Sequence, residues 1–352
     1  VLLDVFKYSA SFAKVQAMSG KLLTNKDYDE LLGKSTVGEI ASYLKNNTHF
    51  SKDLQGVLEA DIHRGQLEEI LNEAKERDFI KLIKFTRGNN KKFLLTYVLK
   101  YEIELLKEMV RLLKSGLLYT FYHDVSKYYA DHMTIDVEKL TKSKDITQFI
   151  ENLKGTPFYN IFSKLTLEKE DFNIFNVEMM LDIYYFKQFY QNSKKLLPKK
   201  DFMLTYGLLS KEADVLNIMW IIRSKKYFNM PKEIIYSFLM PIRGKIKDRQ
   251  INALVEAKSE SEIQEILSKT PYYHIFQSEV LFTEQHFQKY LNDQKQKIVR
   301  LMPYCIVTIL SYISRREIEL ANIIKIIEGK RYKLGADEIE PYLIRIGNGG
   351  AA

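Results

Sequence analysis

Two stretches of the chain are near copies of one another, and this repetition limits the possible folds more than any single residue does. LTKSKDITQFIENLKGTPFYNIF runs from Leu140 to Phe162 and LVEAKSESEIQEILSKTPYYHIF from Leu254 to Phe276. Pro157 and Pro271 stand 114 residues apart, as do Phe162 and Phe276. A fainter copy, LGKSTVGEIASYLKNNTHF, spans Leu32 to Phe50 with one extra residue before Thr48. Each copy reads as a helix start, an amphipathic helix and a Thr-led exit into aromatics. A unit written several times must bury the same faces each time, so the period sets the architecture.

A second repeat closes each unit. YEIELLKEMVRLLKSG begins at Tyr101, KEADVLNIMWIIRSKKYFNM at Lys211 and REIELANIIKIIEGKRYKLG at Arg316. Asn217 and Asn322 take the same place in the later two copies, each followed by Ile, and Lys226-Tyr227 aligns with Arg331-Tyr332. The order predicts three pseudo-symmetric helical units, residues 1–118, 119–232 and 233–346, followed by a disordered tail, 347–352, with nothing to pack.

Only seven prolines and fifteen glycines occur in 352 residues, and no stretch sustains a period of two. The fold class is therefore all-α. Expected helices include Val1–Ser19, Leu54–Leu71 restarted near Gly65, Phe93–Leu113, Glu168–Leu197 ended by Pro198, Lys211–Lys226 and Val299–Glu328 interrupted by Pro303.

The closing helices carry the candidate site. Around Asn322 nearly every position is apolar, and Glu319, Asn322, Lys325 and Glu328 form a narrow polar stripe. Glu104, Lys107, Arg111 and Lys114 make a similar line in the first unit; Asp214, Asn217 and Ser224 remain in the second. A helix packed on most sides with one wet line suits the lining of a polar cavity or socket. The alternative is that the asparagines hydrogen-bond inside a core.

Several chemistries find no support. Gly33-Lys34-Ser35-Thr36 resembles the end of a phosphate-binding loop, but that loop needs Gly five residues earlier, where Tyr28 stands, and no buried strand precedes it. The histidines form no HExxH or Cys–His set. His123, Asp124, Asp131 and His132 read as a helix surface rather than a metal site. Cys305 is alone, in the apolar run PYCIVTIL, so no intrachain disulfide is possible and a reducing compartment is expected. No catalytic residue, cofactor or metal is expected. The net charge of +8 comes from 53 basic residues interspersed with 45 acidic ones. The densest basic stretch, Lys194, Lys195, Lys199 and Lys200 around Pro198, reads as a solvated loop rather than a nucleic-acid patch. The apolar run Leu301–Ile313 is too short to span a bilayer, and the opening residues form no cleavable signal; a cytoplasmic protein is expected.

Taken together, the TPFY and TPYY turns, the ExxxxN-I closing helices and their order across three units resemble the C subunit of V-type and A-type ATPases, known as the d subunit in eukaryotes. The resemblance runs from LLTNKDYDELLG to GKRYKLGADEIEPYL. The first unit departs most, lacking the Pro-Tyr after Thr48 and carrying Lys107 in place of the asparagine. The resemblance implies an all-helical funnel without an active site, seated at the cytoplasmic face of the membrane. Its partners would be the proteolipid c-ring and the D and F subunits of the central stalk, between which it passes torque. Glu104, Lys107, Arg111, Asn217, Asn322 and Lys325 would face the socket. A generic helical scaffold binding another protein on a concave face is the alternative.

Overall fold

A computed structural model describes residues 2–121, 127–165, 174–277 and 282–346. All regular structure among them is helical, as expected. The first helices are α1 (Leu2–Ser19), α2 (Asn25–Leu32), α3 (Val37–Asn47), α4 (Arg64–Lys84) and α5 (Gly88–Lys114). Next come α6 (Val137–Thr141), α7 (Ile146–Asn152), α8 (Tyr159–Leu165), α9 (Ile174–Leu196) and α10 (Lys199–Phe228). The chain continues through α11 (Lys232–Phe238), α12 (Asp248–Glu256), α13 (Glu260–Ser268), α14 (Tyr273–Phe276), α15 (Thr283–Leu301), α16 (Ile306–Arg331) and α17 (Ala336–Ile339).

Short helices such as these are marginal alone and need defined ends. Thr24 caps α2 in a reciprocal box with Asp27. Thr36, Asp136, Asp145 and Ser259 each accept a backbone N–H from the residue three positions on, at the starts of α3, α6, α7 and α13. Each cap satisfies an amide that the helix itself leaves open.

The Thr-led exits are built alike. Thr48, Thr156 and Thr270 donate their hydroxyls back to the carbonyls of Leu44, Leu153 and Leu267, at 2.6, 2.7 and 2.8 Å. The Thr48 and Thr156 hydroxyls also accept the amides of Phe50 and Phe158, each at 3.3 Å. The threonine thereby closes a helix and turns the chain so that the aromatic two residues later drops inward. Phe50, Phe158 and Tyr272 are all fully buried. Proline is dispensable at this turn, since the His49 version keeps the same bonds.

Some expected boundaries differ. Leu54 to Ile62 is turn rather than helix, and α4 begins at Arg64 behind His63, whose Nδ1 accepts the Gln66 amide. The apolar spacing there reflects buried Leu54 and Ile62, which a turn can supply as well as a helix. Lys211–Lys226 belongs to one 30-residue helix starting at Lys199. Pro198 ends one helix and leads directly into the next, because its fixed φ suits a first turn. Pro303 separates α15 from α16 as expected. The tail 347–352 and the start of the expected Glu168–Leu197 helix lie outside the described residues.

The chain packs as two compact bodies, one of residues 1–87 with 259–352 and one of Gly88–Lys258. In the first, apolar residues of α2, α3 and α4 share a core with Leu320, Ile323, Ile326 and Ile327 of α16 and Ile339 of α17. In the second, α5 shares a core with α6, α7, α8 and α9, including Phe149, Phe158 and Phe162. A further cluster there joins α9, α10 and Met240. The long helix that ends one sequence unit thus packs on short helices that begin another: α5 on those of the second unit, α16 on those of the first. Packing and sequence repetition divide the chain differently.

Phe158→Ala should lower unfolding stability by about 3–5 kcal/mol through the cavity left beside Phe149 and Phe162. Urea unfolding followed by helicity measures this. Substitution of the exposed Tyr119 should change it by about 0.5 kcal/mol or less.

Candidate functional site

The polar positions of α5, α10 and α16 sort into two kinds. Some are internal fasteners, and others form a partly exposed ladder.

The fasteners begin with three carboxylates. Glu102 of α5 accepts the amides of Thr134 and Ile135 and the Thr134 hydroxyl. Asp214 of α10 accepts the amides of Gly244, Lys245 and Ile246 at 2.9, 2.6 and 3.1 Å. Glu319 of α16 accepts the amide of Leu23 at 2.6 Å. All three carboxylates are buried. Ile135, Ile246 and Leu23 occupy the same structural place, each just before the N-cap of a short helix, α6, α12 or α2. A charged acceptor on several amides gives bonds stronger than neutral ones and fixes the entry of the chain. At Gly244 the approach leaves no room for a side chain, since a Cβ would stand 2.7 Å from the Asp214 carboxylate and 2.9 Å from Ser210.

Glu319 has cations as well. Arg316 pairs with it through Nη1, and His49 Nε2 lies 3.3 Å from both of its oxygens. Arg316 also stacks over the Phe50 ring, 4.6 Å from its centroid, and its Nε lies 3.4 Å from Asp78 of α4. Burial pushes the Glu319 carboxyl up, but Arg316, His49 and the Leu23 amide outweigh it and hold the group below the ordinary carboxyl range. Glu102 has no such cation in its grip. Burial pushes it up, and the Thr134 and Ile135 amides offset only part of that.

Asn217 and Asn322 are also fully buried. Asn217 accepts the Met240 amide at 2.9 Å and donates to its carbonyl at 3.3 Å. Asn322 does the same to Ile344, at 2.9 and 3.0 Å. Both ends of each amide are used within the core, as in the core alternative for these residues. The stripe of Glu319 and Asn322 is polar but not wet.

Glu104, Lys107 and Arg111 form the ladder. Lys107 reaches Glu104 at 3.2 Å and Asp182 of α9 at 2.6 Å; Arg111 reaches Glu178 of α9 at 3.1 Å. The side chains of Glu104 and Arg111 remain more than half exposed, whereas Lys107 is largely covered. Burial favours loss of the Lys107 proton, but Asp182 and Glu104 more than offset it, so the ammonium stays charged above the ordinary lysine range. Lys325 is half-buried and donates to the Tyr342 carbonyl at 2.8 Å. Burial lowers its pKa, and Glu284 only partly restores it. Glu178 and Asp182 were not anticipated from the sequence; they lie in an aromatic-rich run whose partner helix only packing identifies. Glu102 stands two residues before Glu104, on another face of α5, and carried no separate signal.

The remaining motifs resolve simply. Gly33 ends α2 and Thr36 caps α3, with no phosphate-cradling loop between them. Among the described residues no group of His, Cys, Asp and Glu is placed to hold a metal ion, and no helix is long and apolar enough to cross a membrane. His123 and Asp124 lie outside the described residues, and His132 is exposed.

Among the described residues this is an all-helical body with buried polar fasteners and a partly exposed ion ladder. The chain belongs to the ATP synthase (C/AC39) subunit family, whose model matches residues 12–342. It is similar to the C subunit of the A-type ATP synthase of Methanosarcina mazei, 25% identical with 96% of this chain and 93% of the relative covered. The same protein of Archaeoglobus fulgidus is 24% identical, with 94% of each chain covered. That of Methanosphaera stadtmanae is 22% identical over 97% of this chain and 89% of the relative. Within such a synthase this is a structural rather than the catalytic subunit.

Removing Glu319 leaves Arg316 buried without its main partner, so Glu319→Ala should cost about 3–5 kcal/mol. Because its folded pKa is lowered, the unfolded state binds this proton more readily. The carboxylate's stabilisation is therefore full above the ordinary Glu range, about 4.3, and is lost as pH falls through and below it. Thermal midpoints of the wild type should drop across that window more steeply than those of Glu319→Gln.

Proposed function

We propose that the protein is the rotor component that joins the D and F subunits of the central stalk to the proteolipid c-ring of a V/A-type ATPase. On this reading it transmits torque between ATP turnover and ion transport as a peripheral component at the cytoplasmic membrane face. The observation that carries the reading is the family match over residues 12–342.

Two features of the surface support it. The side chains of Glu104 and Arg111 stay more than half exposed on α5, so their charges can meet a partner, while Lys107 holds α5 to α9. At the ends of α5, α10 and α16, the aligned residues Leu117, Tyr227 and Tyr332 are 42%, 59% and 68% exposed. Exposed aromatic and aliphatic residues recurring at one place in a repeat suit protein contacts. The three sequence units, 1–118, 119–232 and 233–346, would then supply three sets of contacts. Of the six residues assigned to the socket, Glu104, Arg111 and Lys325 serve as contact candidates. Lys107, Asn217 and Asn322 hold the framework that presents them.

Size-exclusion chromatography of the purified chain with a matched D–F pair, with and without detergent-solubilised c-ring, tests the bridge. Stoichiometric co-elution with both is expected; capture of neither at low and moderate salt would return the chain to a generic scaffold. Charge reversal at Glu104 and Arg111 together should weaken stalk binding roughly tenfold or more, with helicity unchanged. Unaltered affinity would remove α5 from the stalk interface.

A further inference from the structure

One pole of the Gly88–Lys258 body gathers lysines that are far apart in sequence. Helices α5 and α9 pack antiparallel. Arg111 meets Glu178, Lys107 meets Asp182 and, towards the other end, Thr96 accepts a hydrogen bond from Asn192 at 3.0 Å. The start of α5 therefore lies beside the end of α9 and the start of α10. Lys91 and Lys92 join Lys194, Lys195, Lys199 and Lys200 there, and all six are exposed. The nearby segments 88–95 and 190–203 contain one carboxylate, Asp201, and it is buried.

Lys91, Lys199 and Lys200 stand in the first turns of α5 and α10, and Lys92 follows directly. Positive charge is unfavourable at that end of a helix, where the macrodipole is itself positive. Lys194 and Lys195 sit at the end of α9, where it is favourable. The pole as a whole is thus more basic than helix stability calls for. Lys91, Lys92, Lys194, Lys195 and Lys199 form no ion pair with described residues. Pro198 and Met203, the latter 58% exposed, place apolar surface among the charges. The tip is the turn of a helical hairpin.

We propose that this pole binds the surface of an anionic lipid bilayer. Lysines act as point charges without the bidentate geometry by which arginine reads phosphodiesters in nucleic acid. Clustered lysines mixed with apolar side chains are the composition that settles on negatively charged headgroups. The choice of a bilayer over an acidic protein rests on the reading of the chain as part of a membrane-bound complex. The contact would give the protein its own membrane attachment, separate from its contacts with stalk and ring.

Flotation of the purified full-length chain with vesicles tests this without stalk or ring, so failure here leaves the bridge experiment untouched. Binding is expected to phosphatidylcholine vesicles containing phosphatidylglycerol and not to phosphatidylcholine alone, with loss as salt rises. Each lysine neutralised among Lys194→Gln, Lys195→Gln, Lys199→Gln and Lys200→Gln should lower the partition coefficient about fivefold. Lys139→Gln with Lys144→Gln, exposed lysines of α6 and the turn before α7, should leave it nearly unchanged. Equal loss in that control would show an effect of net charge alone and overturn the assignment. So would full binding by the four-lysine variant, or equal affinity for neutral vesicles. Tighter retention of polyglutamate or duplex DNA by the same lysines at matched salt would likewise replace the bilayer with that partner.

Discussion

A single buried carboxylate holds together parts of the chain that are 296 residues apart: Glu319 of α16 on the amide of Leu23. Burying that charge is unfavourable unless it is paired and hydrogen-bonded. Arg316, His49 and the amide supply the pairing, and the core of its body is assembled around the result. Arg316 lies over Phe50, the aromatic turned inward by Thr48, and reaches Asp78 on α4. The grip and the Thr-led exit therefore meet at one place. The apolar face of α16 can rest on α2, α3 and α4 only while this point fixes its register.

The same device recurs with different chemistry. Asp214 spreads three amides over its two oxygens, and the close approach requires Gly244. Glu102 holds two amides through one oxygen without a cation in the grip. The difference shows in proton affinity, with Glu319 held below the ordinary range by Arg316 and Glu102 pushed above it by burial. The three carboxylates thus hold amides at the same place, just before the N-cap of a short helix, with different chemistry. The Met240 and Ile344 clamps of Asn217 and Asn322 vary less, because one amide facing one peptide group has a single good geometry.

Under the coupling role proposed above, this arrangement would separate two tasks. Torque requires a framework that does not yield, and the buried grips and asparagine clamps tie helix to loop at positions where slippage would strand a polar group. The proposed partner contacts would then fall on exposed residues, such as Glu104, Arg111 and the apolar residues ending α5, α10 and α16, outside the buried grips. Substitution at the two sets has different consequences, one in stability and the other in association.

The sequence by itself determined the helical class, the repeat, the helix caps and the threonine exits, because each depends on residues within a few positions of one another. It also marked Asp214, Asn217, Glu319 and Asn322 as polar points on otherwise apolar helices. Tertiary structure alone decided that these points face inward. A polar stripe has the same periodicity whether water or a backbone amide satisfies it, and only the loop folded against it distinguishes the two. The joining of α16 to Leu23, the ladder from α5 to α9 and the gathering of Lys91 and Lys92 with Lys194–Lys200 likewise depend on which helices pack together. That is a property of complementary surfaces far apart in the chain, and local periodicity carries no record of it.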